Sequence, residues 1–117
     1  MHTVIDLLAA NLHDVFGSRD PASRRATIAR IYTEDVLFTD PEDVSTGWDG
    51  LEDKARTLLE KVPADFEFTE DGRLYAGPQD GALAWAFGPA GEPAARGIDI
   101  ITVRDGRIAT LLTILTA

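Results

Sequence analysis

Residues 97–115 read GIDIITVRDGRIATLLTIL, and this stretch carries the strongest fold signal in the chain. Two runs rich in β-branched residues, 97–103 and 108–115, flank the dipeptide Asp105-Gly106. Asp-Gly between apolar runs is typical of a two-residue β-hairpin turn. Both turn positions require positive φ, which aspartate and glycine tolerate better than most residues. The stretch therefore predicts two antiparallel neighbours in a sheet.

Further strands are predicted upstream of this hairpin. Phe66 and Phe68 alternate with polar residues, and Asp71-Gly72 follows as a second predicted hairpin turn. Residues 83–87 place three apolar side chains at alternate positions, which is the period of a strand. The second half of the chain therefore predicts an antiparallel sheet.

The first half has the period of helices. Apolar side chains recur every three or four residues over 4–16, and Gly17 is a predicted stop. Asp20-Pro21 combines an N-cap residue with proline at the first helical position, so it predicts the start of a second helix. We expect that helix to end near residues 33–35.

A short strand separates the second and third predicted helices. Residues 36–39 form a β-type run that ends at Asp40-Pro41, because proline cannot donate to a strand ladder. Residues 42–47 predict a loop, and a capping box of Asp49 and Glu52 predicts the start of the third helix. Helices followed by strands favour the α+β class over a parallel α/β fold.

Composition narrows the classes of function. The 117 residues suit one domain that spans 1–117. No signal peptide or membrane span is evident in the sequence, so we expect a cytoplasmic protein. The net charge of −9 disfavours nucleic acid and anionic membranes as partners, and it fits a neutral ligand. Without cysteine, disulfides and thiol catalysis are excluded, and only His2 and His13 offer imidazole. Carboxylates remain as the main reactive groups.

Two aspartates stand out because apolar residues surround them in sequence. Strand alternation places Asp99 on the same face as Ile101 and Val103, where burial would raise the pKa of its carboxyl group. Asp40 shares a strand face with Phe38. Each aspartate also has a purely structural interpretation. Asp40 can be a turn residue before Pro41, and Asp99 can be an ion-paired side chain.

The order of elements and two strings resemble a known superfamily. Residues 32–41, YTEDVLFTDP, resemble the first-strand segment of SnoaL-like and ketosteroid-isomerase-like members of the NTF2-like superfamily, and residues 97–108 resemble their closing hairpin. The resemblance covers nearly the whole chain. It implies an NTF2-like cone, in which three helices from the N-terminal half pack inside a strongly curved mixed or antiparallel sheet. The open end of such a cone is an apolar ligand pocket.

The resemblance also implies a site. Asp40 falls at the position of the general base of ketosteroid isomerase, and Asp99 at that of the protonated aspartate in its oxyanion hole. The oxyanion-hole tyrosine has no counterpart here, and Tyr32 is implied only as an auxiliary donor. The resemblance and strand parity together imply a pocket lined by Leu12, Phe16, Tyr32, Phe38, Trp48, Trp85, Phe87, Leu111 and Thr113.

These residues lead to a hypothesis about function. The chain is expected to be an enzyme for isomerisation or aldol-type cyclisation of a small apolar carbonyl compound, with no cofactor and no metal. Asp40 would remove a proton, and a neutral Asp99 would hydrogen-bond the enolate oxygen. The resemblance also implies a homodimer that pairs through the outer sheet face, where the last two strands carry apolar side chains.

Two alternatives remain open. In the first, the chain is a non-catalytic module that binds a small ligand or a partner, with Asp40 as a turn residue and Asp99 as a structural hydrogen-bonding group. In the second, the chain opens an epoxide with a water held by two acids, and Arg96 is the basic partner. Both carboxylates should face one open apolar cavity if the enzyme hypothesis holds.

Overall fold

The computed structural model describes residues 3–116, so His2 lies outside the described part. The helices are α1 at Val4–Ala10, which continues as a π-helical segment at Asn11–Phe16, α2 at Pro21–Ile31 and α3 at Gly47–Glu60. The strands are β1 at Tyr32–Thr39, β2 at Val44–Thr46, β3 at Glu67–Ala76, β4 at Asp80–Gly88, β5 at Ala95–Arg104 and β6 at Arg107–Leu115.

The six strands form one mixed sheet in the order β2-β1-β6-β5-β4-β3. All neighbouring strands are antiparallel except β1 and β6, which run parallel. The sheet is strongly curled but not closed, and the helices pack against its inner face. The predicted α+β class and curved sheet are therefore confirmed.

The two Asp-Gly dipeptides have different outcomes. Asp105 and Gly106 connect β5 to β6 with φ of 55° and 76°, as the predicted hairpin turn requires. The hairpin predicted at Asp71-Gly72 is wrong, because both residues lie inside β3. The pairing of β3 with β4 shifts register between Glu70 and Leu74, and Gly72 has φ of 119°. Gly72 therefore lies in a β-bulge, where positive φ is accommodated as it would be in a hairpin turn.

The junction between α2 and β1 lies earlier than predicted. Asp20 caps α2 by accepting from the backbone amide of Ser23, as expected, but the helix ends at Ile31 and not near 33–35. β1 begins at once with Tyr32, which pairs with Ile108 of β6. Sheet pairing with a distant strand therefore sets this boundary, since helix propensity is a weak local preference.

The start of α3 also differs from the prediction. The helix begins at Gly47, after the short strand β2 in the segment predicted as a loop, so no capping box starts it at Asp49. The carboxylate of Glu52 instead accepts from Nε and Nη2 of Arg24 at 2.7 and 2.8 Å. This buried pair joins α3 to α2.

The core lies between the helices and the concave face of the sheet. Its fully buried members include Leu7, Leu8, Val15, Ile28, Ile31, Leu51, Ile101, Ile108 and Leu111. Among residues 3–116, none of the helices is long and apolar enough to cross a membrane.

Candidate functional site

A cavity of about 280 Å³ opens between the π-helical segment, α3 and the inner face of the sheet. Its buried or half-buried walls are largely apolar and include Leu12, Phe16, Phe38, Phe68 and Trp85. Its exposed lining residues, which form the mouth, include Pro41, Glu42, Thr57, Lys61 and Leu115. The cavity is slightly smaller than the usual range of small-molecule pockets, which is about 300–1,000 Å³.

Asp99 lies on the inner face of β5, and its carboxylate borders this cavity. Only 5% of the residue is exposed. Its Oδ1 accepts from the indole N–H of Trp85 at 2.9 Å and from the hydroxyl of Thr113 at 2.8 Å. Its Oδ2 accepts from the amide of Asn11 at 3.0 Å. Three donors therefore hold one carboxylate in a fixed orientation.

The burial of Asp99 controls its protonation. Desolvation raises the pKa of its carboxyl group to about 6, although the hydrogen bonds from Thr113, Trp85 and Asn11 oppose that rise by stabilising the anion. A carboxyl group with a pKa near 6 exchanges protons readily close to neutral pH. The position of Asp99 thus suits proton transfer inside a largely apolar space.

The indole of Trp85 can reach Asp99 because Gly97 has no side chain. Trp85 pairs with Gly97 across β4 and β5, and a Cβ at position 97 would lie 2.5 Å from the indole ring. Thr113 reaches the carboxylate more simply, since it pairs directly with Asp99 on β6. Both donors are therefore set by the register of the sheet.

Asn11 is a buried polar residue at the start of the π-helical segment. Its Nδ2 donates to Asp99, and its Oδ1 accepts a hydrogen bond from the hydroxyl of Tyr32. Burial and the nearby charge of Asp99 raise the pKa of Tyr32 well above its usual value, so the hydroxyl keeps its proton. Tyr32, Asn11 and Asp99 therefore form one buried hydrogen-bond chain.

Asp40 borders the same cavity but has different partners. Its Oδ1 accepts from the backbone amides of Glu42 and Asp43 at 2.8 and 3.0 Å, and its Oδ2 lies 3.2 Å from Nζ of Lys54. Partial burial raises the pKa of Asp40, but the two amides and the ammonium group outweigh it, and the pKa lies below its usual value. Asp40 is therefore an ionised turn residue with both oxygens engaged.

Sequence comparison identifies the family of this chain. The SnoaL-like domain family matches residues 9–111, a range that contains Asn11, Asp40 and Asp99. The chain belongs to the SnoaL-like domain family. Among curated proteins, none matches its sequence.

Solved structures share the fold of this SnoaL-like domain. A proposed isomerase of the SnoaL-like family from Agrobacterium tumefaciens str. C58 is 20% identical, with a TM-score of 0.89 and 100% of both chains covered. A proposed SnoaL-like polyketide cyclase from Jannaschia sp. CCS1 is 10% identical, with a TM-score of 0.77 over 95% of this chain and 83% of that one. An NTF2-like protein of unknown function from Cytophaga hutchinsonii ATCC 33406 is 13% identical, with a TM-score of 0.72 over 99% and 92%. The NTF2-like fold inferred from the sequence is thereby confirmed.

The cavity of the SnoaL-like domain brings together only part of the predicted lining. Asp40 and Asp99 both border it, as do Leu12, Phe16, Phe38, Trp85 and Thr113. The predicted lining residues that lie elsewhere are Tyr32, Trp48, Phe87 and Leu111. Tyr32 and Leu111 are buried in the core, the indole of Trp48 donates to the carbonyl oxygen of Tyr32, and Phe87 stacks on Phe68.

The geometry also bears on the epoxide alternative. Arg96 was the candidate basic partner of the two acids, but its guanidinium group lies 3.0 Å from the carboxylate of Asp71 and is half exposed. Arg96 is not among the residues that line the cavity. Arg96 is therefore not placed to act as the basic partner of Asp40 and Asp99.

Sequence reasoning missed Asn11 and Lys54. Asn11 lies on the apolar face of the first helix, four residues after Leu7 and four before Val15. A polar residue on a buried face needs a hydrogen-bond partner, and this need could have identified Asn11. Lys54 lies three residues after the buried Leu51 on α3. A lysine beside an apolar helix face is common, because its long side chain reaches the surface. The position of Lys54 in the sequence therefore did not indicate a functional role.

The charges in the cavity are mixed. Lys54 and Lys61 line it together with Asp40, Glu42 and Asp99. Asp43, which lies 2.6 Å from Nζ of Lys54, is the largest cause of the raised pKa of that lysine, so Lys54 stays charged.

Within residues 3–116, histidine, aspartate and glutamate side chains form no group of three or more that could hold a metal ion.

Proposed function

We propose that this SnoaL-like protein is an enzyme of the ketosteroid-isomerase and polyketide-cyclase type, which moves a proton on a small apolar carbonyl compound. The observation that carries the proposal is the carboxylate of Asp99, which borders a largely apolar cavity and is held by three hydrogen-bond donors. Such a group suits the removal of a proton α to a carbonyl group, because it is oriented, desolvated and titrates near neutral pH.

We assign the base role to Asp99, although the resemblance implied Asp40. Both oxygens of Asp40 are engaged by two backbone amides and Lys54, which lowers its affinity for a proton. Asp99 has the higher pKa and therefore the stronger affinity for a proton. This difference between the two carboxyl groups favours Asp99 as the group that accepts and returns the proton.

Lys54 is our candidate for stabilising the enolate. Its ammonium group has three N–H donors, and the carboxylates of Asp40 and Asp43 engage two of them. In the proposed step, Asp99 takes the α proton while the C–H electron pair forms the enolate, whose oxygen accepts from Lys54. The proton then returns at another carbon in an isomerisation. In a cyclisation, the enolate carbon attacks a second carbonyl carbon, the C=O electron pair moves to its oxygen as an alkoxide, and that alkoxide takes the proton back from Asp99.

The comparisons support this class of function at a coarse level. Two structural neighbours are proposed as an isomerase of the SnoaL-like family and as a SnoaL-like polyketide cyclase. Those identities are below 25%, so the neighbours support the fold, and the chemistry rests on the cavity.

A second candidate function is a non-catalytic small-ligand-binding module. The engagement of both oxygens of Asp99 by Asn11, Trp85 and Thr113 favours it, because a buried carboxylate that is already satisfied needs no chemical role. In this alternative the donors around Asp99 serve only to satisfy a buried carboxylate. The two candidates differ in whether a bound carbonyl compound exchanges its α protons.

We also propose that a second copy of this chain covers the outer face of the sheet. Ile98 pairs with Ile114, and Ile100 pairs with Leu112. All four point away from the face that holds Asp99, because neighbouring positions on a strand point to opposite sides. Leu112 and Ile114 are 38% and 44% exposed, so they form an apolar patch of the kind that protein interfaces use.

Deuterium exchange tests the proposed enzyme function. Cyclic ketones and polyketide-like diketones are incubated with the protein in heavy water, and deuterium at the α carbon is measured by mass spectrometry. We expect exchange with the wild type, a loss of about 10²–10⁴-fold in Asp99→Asn, and no change in Asp65→Asn, which alters an exposed aspartate. Ligand binding without exchange above the rate in buffer alone, or equal exchange in Asp99→Asn, would favour the binding module.

A further inference from the structure

The hydroxyl of Tyr32 is two hydrogen bonds away from the carboxylate of Asp99. It donates to Oδ1 of Asn11, and Nδ2 of the same amide donates to Oδ2 of Asp99. Tyr32 and Asn11 are fully buried, and neither lines the cavity. Any influence of Tyr32 on a bound ligand must therefore pass through the other two side chains.

An asparagine amide presents two chemically opposite ends. Its NH₂ group donates and its carbonyl oxygen accepts, and a rotation of 180° exchanges them. An ionised carboxylate only accepts, so the NH₂ end stabilises it, whereas the oxygen end would stabilise the protonated acid. Which end of Asn11 faces Asp99 therefore affects the protonation of Asp99.

The partner on the far side of Asn11 favours one of these orientations. The hydroxyl of Tyr32 makes its hydrogen bond to Oδ1 of Asn11 and, within residues 3–116, to no other group. A rotated amide would leave this buried O–H without an acceptor and would also turn an oxygen toward the carboxylate of Asp99. Both changes cost free energy, because buried polar groups need partners.

We propose that Tyr32 is a positioning residue, whose hydroxyl fixes the orientation of the Asn11 amide and so keeps a donor against the carboxylate of Asp99. The π-helical geometry at Asn11–Phe16 fits this role, since π-helical turns occur frequently at functional sites. The inference rests on the proposed role of Asp99 as the base. Its test, however, measures Asp99 directly.

Other ionisable groups near Asp99 do not replace this contact. On the π-helical segment, His13 and Asp14 are exposed, and Nε2 of His13 lies 2.9 Å from the carboxylate of Glu70 on β3. The charged groups that share the cavity with Asp99 are Asp40, Glu42, Lys54 and Lys61. Each of these seven groups is present in every variant used below, so a change in the titration of Asp99 reports the hydrogen-bond chain from Tyr32.

The test is a pH titration of Asp99 in Tyr32→Phe, monitored by NMR of ¹³C-labelled aspartate side chains. The signal of Asp99 is assigned by its absence in Asp99→Asn. Phenylalanine keeps the buried ring and removes only the hydroxyl. We expect the titration midpoint of Asp99 to rise by about one pH unit, because the carboxylate loses an oriented donor. The matched control is Tyr75→Phe, which removes a hydroxyl at a position that is 58% exposed and should leave the midpoint unchanged.

A second pair of variants tests whether Tyr32 acts through Asn11. Asn11→Leu removes both hydrogen bonds and should raise the midpoint at least as far as Tyr32→Phe does. The double variant should titrate like Asn11→Leu alone, since the mediating amide is already absent. The Asn11→Leu measurement also keeps the proposal testable if Tyr32→Phe does not fold.

The outcomes separate this inference from the proposed function. An unchanged midpoint in Tyr32→Phe, or a further rise in the double variant over Asn11→Leu, would overturn the positioning role. If the midpoint moves as expected while Asp99→Asn still exchanges substrate protons at the wild-type rate, the positioning role stands and the proposed enzyme function fails.

Discussion

The indole N–H of Trp85 donates to the carboxylate of Asp99 at 2.9 Å, although these residues are not paired across the sheet. Trp85 pairs with Gly97, and the missing side chain at that position leaves room for the indole to lie across β5 toward Asp99. A backbone position without a functional group of its own therefore determines one of the three donors to the candidate base.

The first prediction concerns Gly97. Because a Cβ at this position would lie 2.5 Å from the indole ring and 2.7 Å from the carbonyl oxygen of Ile114, Gly97→Ala should displace Trp85. We expect the free energy of unfolding to fall by about 1–3 kcal/mol, as for other overpacked sites. Urea unfolding measures it, together with the indole N–H resonance of Trp85. An unchanged free energy and an unshifted resonance would contradict the close packing described here.

The second prediction separates the roles of the two aspartates. Asp40→Asn keeps an oxygen that can accept from the amides of Glu42 and Asp43, so the turn should persist while the ion pair with Lys54 is lost. If Asp99 is the base, α-proton exchange in Asp40→Asn should stay within about tenfold of the wild type, whereas Asp99→Asn loses about 10²–10⁴-fold. The opposite order of losses would restore Asp40 as the base.

The third prediction follows from the raised pKa of Asp99. Burial raises the pKa of this carboxyl group from 3.8 to about 6, so between these values the folded protein binds a proton that the unfolded chain does not. Its contribution to stability is complete below about pH 4 and is lost as the pH rises through about 6, which amounts to about 3 kcal/mol.

Asp99→Asn provides the reference for this measurement. The unfolding free energy of the wild type relative to Asp99→Asn should fall by most of that amount between pH 4 and pH 8, and paired urea titrations at the two pH values measure it. A constant difference between the two proteins would mean that the carboxyl group is not desolvated.

The fourth prediction compares two neighbouring acids on α3. Glu52 forms a buried pair with Arg24, whose side chain is only 3% exposed, whereas Asp53 forms an exposed pair with Arg56. Glu52→Gln leaves an uncompensated buried guanidinium group and should cost about 3–5 kcal/mol. Asp53→Asn should cost less than about 1 kcal/mol, because the exposed pair is solvated. Thermal or urea unfolding of both variants tests the difference, and equal losses would argue against a buried pair.

The fifth prediction concerns the outer face of the sheet. If a second copy covers it, Leu112→Arg should convert a dimer into a monomer, because an unpaired charge would be buried at the interface. Ile5→Arg, at a 49% exposed position on α1, is the matched control and should remain dimeric. Light scattering coupled to size exclusion measures the mass. A wild-type protein that stays monomeric at high concentration would overturn the proposed dimer.

Much of the fold could be predicted because its signals are local. The cap at Asp20, the helix stop at Gly17 and the turn at Asp105-Gly106 depend on a few neighbouring residues, and each has the predicted conformation. The dipeptide Asp71-Gly72 shows the limit of such signals. It specifies positive φ at one residue, but whether the chain turns back or bulges depends on how β3 pairs with β4.

The candidate site could be predicted only in part. Strand parity places Asp99 on the inner face with Ile101, and the structure has both residues buried there. Asn11 escaped prediction as a partner of Asp99 because it lies 88 residues away in sequence. The free energy that fixes such a contact comes from packing between distant elements, which no local pattern encodes.

The sequence by itself determined most of the elements, their α+β class and the two acids to test, because helix periods, turn chemistry and strand alternation depend on short-range interactions. Only the tertiary structure decided how these acids differ. The curled sheet and α3 bring Lys54 to Asp40 and Asn11 to Asp99. An ammonium and two amides lower the pKa of Asp40 despite its partial burial, whereas desolvation raises that of Asp99, so three-dimensional surroundings separate two side chains of identical chemistry.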